Sequence, residues 1–60
     1  MDFCYEMTSF DGYTVTIYGE EDGPAYVEYF DHDLCERRTK KFENGETAAY
    51  CWAWRRGYRE

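Results

Sequence analysis

The residues best suited to chemistry are few. His32-Asp33-Leu34-Cys35 sets an imidazole and a thiol three positions apart, and Cys4 and Cys51 are the only other thiols. Together they have the composition of a Cys₃His zinc set. No CxxC pair is present, however, and the three cysteines fall on segments that a small fold need not bring together. Neither a metal centre nor a disulfide framework is expected, because the thiol count is odd. Three buried thiols in a reducing compartment are the simplest account. Nucleophilic catalysis is not expected either. Ser9 is the only serine, the single His would have to serve as any base, and 60 residues leave little room for an enclosing cleft. Gly12, Gly19, Gly23, Gly45 and Gly57 are spaced as turn and cap residues, not as a phosphate-cradling loop. The chain is therefore expected to be no enzyme and to hold no cofactor or metal.

Charge is the stronger signal. Residues 1–36 hold ten carboxylates and no Lys or Arg, whereas residues 37–60 hold seven cations and three carboxylates. The two parts carry −10 and +4, for a net −6. Such asymmetry concerns partners, not fold. Glu20, Glu21 and Asp22 form an acidic loop tip, with Glu28, Asp31 and Asp33 following and Tyr26, Phe30 and Trp52 as aromatic anchors. Carboxylates steer a basic partner, and buried rings convert steering into affinity. These nine residues are the expected partner-binding set. The expected partner is a basic protein or a nucleoprotein complex.

In size and charge, though in no motif, the chain resembles the small acidic inhibitors that phages make against host nucleases, anti-CRISPR proteins among them. The resemblance implies a nucleic-acid mimic that occupies a partner's phosphate track. The alternative is a small nucleic-acid-binding module built from Arg37, Arg38, Lys40, Lys41, Arg55, Arg56 and Arg59, with Trp52 or Tyr58 as a stacking platform. A net charge of −6 opposes approach to phosphates, so direct nucleic-acid binding is not the expectation. A third reading is a homodimer or larger assembly that buries spare aromatics. No apolar run approaches a membrane span and no leader is recognisable, so a cytoplasmic protein without membrane contact is expected.

The elements that must position these residues follow from periodicity. Residues 2–10 alternate, with Phe3, Tyr5 and Met7 on one side. Asp11-Gly12 is a favoured turn dipeptide. Residues 13–19 form the clearest strand, with Tyr13, Val15 and Ile17 directed at the core. A turn over 20–24 leads to a strand over 25–30, on which Ala25, Val27 and Tyr29 share one face and Tyr26, Glu28 and Phe30 the other. After the Asp31-His32-Asp33 turn, residues 34–42 make a polar edge strand whose lysines discourage strand addition. The last third is the only helix, capped by Asn44 and stopped by Gly57. The fold class is α+β, a three- to four-stranded antiparallel meander with one C-terminal helix on one face (ββββα), in a single domain spanning residues 1–60.

Thirteen aromatic residues against one Leu, one Ile and two Val predict a largely aromatic core. Two stripes compete for the inner side of the helix. One is Thr47, Tyr50, Cys51, Trp54 and Tyr58, and the other is Ala48, Cys51, Trp52 and Arg55. Cys51 lies on both and is the expected core residue. Trp52 and Trp54 lie roughly 200° apart on the helix, so only one of them can be buried.

Overall fold

The computed structural model describes residues 1–60. β1 (Phe3–Thr8), β2 (Thr14–Gly19), β3 (Ala25–Asp31) and β4 (Glu36–Phe42) precede one helix, α1 (Glu46–Arg55). The strands pair antiparallel in the order β1-β2-β3-β4, giving the expected ββββα meander with all four strands formed. β4 begins at Glu36 because the chain before it turns. Asp31 Oδ1 accepts the amides of Asp33 and Leu34 at 2.9 and 3.2 Å, and Cys35 adopts a left-handed φ of 52°. The β1–β2 loop is equally ordered. The Ser9 hydroxyl donates to Asp11 at 2.6 Å, and the Tyr13 amide donates to Ser9 Oγ at 3.1 Å. At the other end, Gly19 lets the strands close on the β2–β3 turn. A Cβ there would lie 2.5 Å from the Pro24 carbonyl oxygen.

The core differs from the aromatic expectation. Its largest fully buried side chains are Met7, Ile17, Val15 and Val27, joined by Ala25, Ala49, Ala53 and, at 8% exposure, Tyr58. Rings form a half-buried collar around it: Phe3, Tyr5, Tyr29, Phe42, Tyr50 and Trp52. Aliphatic and small side chains fill the thin layer between helix and sheet, which leaves little depth for rings. Tyr13 is not a core residue. It lies outside β2, 41% exposed, with its ring 6.0 Å from that of Phe30.

Neither predicted stripe faces the sheet. Ala49 and Ala53 do, four residues apart, and they are the only buried helical residues. Alanine lets α1 settle against β2 and β3, which already supply the bulk. Cys51 lies roughly 200° from both alanines, so it points to solvent. Cys4 and Cys35 are exposed too, so the expectation of buried thiols is corrected for all three.

Gly45, not Asn44, occupies the helix N-cap, with φ 88° and no side-chain cap bond. Its amide donates to the Phe42 carbonyl at 3.1 Å, a turn whose positive φ favours glycine. Gly57 stops the helix as expected, at φ 91°. The Gly57 amide donates to Trp54 O and the Tyr58 amide to Ala53 O, both at 3.0 Å, which is a Schellman closure. The tail then pairs with β1, Thr8 and Arg59 exchanging backbone hydrogen bonds at 2.7 and 2.9 Å. No helix is long and apolar enough to cross a membrane.

Candidate partner-binding surface

The helix covers one face of the sheet and leaves the other open. Strand register sets out the open face in ranks, because directly opposed residues share a side. One rank reads Cys4–Tyr18–Tyr26–Lys41 and the next reads Glu6–Thr16–Glu28–Thr39. Beyond them Phe30 stands opposite Arg37. Tyr18 and Tyr26 stack with ring centroids 5.4 Å apart, and this pair adjoins the β2–β3 turn that carries Glu20, Glu21 and Asp22.

That turn belongs to an acidic pole. In a four-stranded meander the link after β4 returns to the same end as the β2–β3 turn. Glu43 and Glu46 therefore join Glu21 and Asp22 around a shallow groove that no hydrophobic side chain lines. Asp2 is there too, its carboxylate accepting the Glu21 amide at 2.8 Å. Two cations answer these acids. The N-terminal amine lies 3.2 Å from Glu20, and Lys41 lies 3.0 Å from Glu43. The bond to Glu43 raises the Lys41 ammonium above its ordinary value. Glu43 and Glu46 were not among the sequence-derived site residues. The topology alone could have placed them, since the meander was already expected.

The nine expected partner-binding residues are not brought to one place. Glu20, Glu21, Asp22 and Tyr26 gather at the acidic pole, with Glu28 one rank further along the open face. Phe30, Asp31 and Asp33 lie at the far end of β3, roughly 20 Å away for a seven-residue strand. There Phe30, Tyr13 and His32 form a ring cluster, with His32 4.6 Å from Tyr13 and 5.1 Å from Phe30. Trp52, on the helix side, lines one cleft with Phe30, Asp31 and Asp33, away from the acidic pole. It meets Tyr29 and Phe42 edge-on at 5.0 and 5.9 Å, and the Arg56 guanidinium lies 4.2 Å above its ring. Trp54 is the exposed indole, at 47%, covered on one plane by Arg59 at 3.4 Å.

The candidate zinc ligands are also dispersed. Cys4 is on β1, Cys35 in the β3–β4 turn and Cys51 on the outer side of α1. No group of three or more His, Cys, Asp or Glu side chains is placed to hold a metal ion. Two phenols are perturbed. Burial first, then the Glu46 carboxylate, pushes Tyr5 well above its ordinary value, while burial and the Asp11 carboxylate raise Tyr58. Both report packing under the helix side, away from the open face. No protein-family description, curated protein or solved structure matches the chain.

Proposed function

We propose that the protein is a small, acidic, non-enzymatic binding protein that engages a basic, nucleic-acid-handling protein, as an inhibitor of a nuclease or CRISPR-type nucleoprotein complex would. One observation carries the reading: the acidic pole at one end of the sheet adjoins a stacked tyrosine pair on the face that the helix leaves open. The carboxylates of Glu20, Glu21, Asp22, Glu43 and Glu46 steer a basic groove toward the pole. Tyr18 and Tyr26 supply flat, amphipathic contact area beside it, with little side-chain entropy left to lose. The central Glu6–Thr16–Glu28–Thr39 rank argues against pairing of this face with a second copy, which would bury carboxylates of like sign.

The test is retention from a nuclease-treated lysate by the tagged protein and by two variants, washed at graded salt. A basic protein is expected to be held by the native chain and released at high salt. Glu21→Lys with Asp22→Lys should slow its association by about tenfold or more, and Tyr26→Ala should mainly speed dissociation. Equal retention by all three chains would remove the acidic pole from the reading.

A further inference from the structure

The seven cations divide by face. Arg37 and Lys41, on the open face, are the two that pair with carboxylates, Glu28 at 3.6 Å and Glu43 at 3.0 Å. Arg38, Lys40, Arg55, Arg56 and Arg59 have no carboxylate within 4.0 Å. They are therefore not spent on neutralising the acidic strands. Arg38 and Lys40 stand on the helix side of β4, opposite Tyr29 and Val27, and in step with Phe42 opposite Ala25. α1 lies over β2 and β3 and only reaches toward β4, so a cleft opens beside the helix, lined by Tyr29, Lys40, Trp52 and Arg56, with Asp11, Asp31 and Asp33 toward the turn end. Tyr29 and Trp52 meet in it, and Phe42, against Trp52 and under Lys40, extends the ring surface beyond it. The exposed Arg56 guanidinium sits over the Trp52 ring at 4.2 Å, held by a 3.3 Å bond from its Nη1 to the Trp52 carbonyl.

We propose that this cleft binds single-stranded nucleic acid. Cations two apart on a strand are spaced roughly 6.8 Å, comparable with successive phosphates of a stretched single strand. Arg38 and Lys40 contact the backbone, and a base stacks on the outer plane of the Arg56–Trp52 pair, since guanidinium planes and indoles both accept base faces. Rings interleaved with unpaired cations favour this ligand over an acidic peptide, whose carboxylates need the charge but not the rings. A duplex hides its base faces from such a platform. Asp11, Asp31 and Asp33 line the turn end of the cleft and close the track there, so the site is a few nucleotides long. The cleft lies on the helix side near β4 and the helix end, apart from the acidic pole and the tyrosine pair, and either reading can fail alone.

The experiment is fluorescence polarisation of a short fluorescein-labelled oligothymidylate at low salt. Saturable binding is expected, with a log–log salt slope of about −1.4 for two phosphate contacts at ~0.7 each. A blunt duplex of equal length should bind about tenfold more weakly. Arg38→Gln with Lys40→Gln, both at exposed positions of the edge strand, should lower affinity about tenfold. Arg56→Gln should lower it further and diminish the Trp fluorescence change. Four results overturn the proposal: no saturable binding, equal binding of the duplex, an unaltered affinity in the double variant, or displacement by oligoglutamate as effective as by unlabelled oligonucleotide. The last would reassign the cleft to an acidic peptide. The variants leave the acidic pole intact, so the retention experiment above is unaffected by them.

Discussion

On its helix side the sheet presents Met7, Val15, Ile17, Ala25 and Val27, all without solvent exposure. On its open side the same strands present Glu6, Thr16, Tyr18, Tyr26 and Glu28. Both sets arise from one alternation of period two. The helix side accounts for folding: its side chains meet Ala49, Ala53 and Tyr58 in one cluster. Nothing in that account requires a tyrosine stack on the other side, or an acidic turn next to it. Charge divides along the same plane, with paired cations on the open side and unpaired ones around Trp52 and the helix end. Where a feature is not demanded by packing, an explanation in terms of partners becomes the economical one.

The largest expected effect separates the two sides directly. Ile17→Ala removes a fully buried side chain beneath the helix and should cost about 2–5 kcal/mol. A domain this small has only a few kcal/mol in total, so thermal or urea denaturation followed by circular dichroism should find that variant largely unfolded. Tyr26→Ala, one strand away on the open side, should cost about 1 kcal/mol or less, the value of a half-exposed cross-strand pair. If Tyr26→Ala unfolds the chain as readily, the open face is structural and the division fails.

The sheet was legible because period-two alternation and turn residues agree along the first two thirds of the chain. Phe3, Met7, Val15, Ile17, Val27 and Tyr29 all fall on the expected side. The helix was less legible for a physical reason. Its inner face is chosen by what the sheet leaves room for, so two alanines outrank the tryptophans and the cysteine that a hydrophobicity stripe favours. Cap residues were half legible. Gly57 lies beyond the last helical turn, but the glycine of the Phe42–Gly45 turn displaced Asn44 from the cap. The binding set was legible as types and not as a place. Adjacent acids in sequence mark the tip at Glu20–Asp22, yet Asp31 and Asp33 sit a strand length away, where they share a cleft with Trp52. Conversely, Glu43 and Glu46 reach the acidic pole only through the fold.

A smaller effect, confined to the helix side, comes from pH. Tyr5 titrates at about 10 in the unfolded chain and higher when folded, mainly through burial and then through Glu46. Above that pH the unfolded state gives up a proton that the folded state keeps, so stability falls as pH rises. Tyr58 acts in the same direction. Melting temperature is therefore expected to decline from about pH 10 upward, and Tyr5→Phe should flatten that decline. An unchanged alkaline slope in Tyr5→Phe would mean the phenol is not held against Glu46.

The smallest effect is expected on the open face itself, at the pair between Arg37 and Glu28. Their charged atoms are 3.6 Å apart and both side chains are nearly half exposed. Arg37 also donates to the Glu28 carbonyl at 3.3 Å, which orients the guanidinium diagonally across the two strands. Exposed pairs of this kind couple by about 0.2–1 kcal/mol, and salt weakens them. A double-mutant cycle with Arg37→Gln and Glu28→Gln, read by urea denaturation, should fall in that range and shrink in high salt. Removing Arg37 should also leave oligothymidylate affinity almost unaltered, because its charge is already matched by Glu28 and faces away from the cleft. A large loss of affinity in Arg37→Gln, comparable with that of Arg38→Gln plus Lys40→Gln, would show that nucleic acid crosses the edge of β4. The two sides of the sheet would then form one surface, and the acidic open face could no longer be assigned a partner of its own.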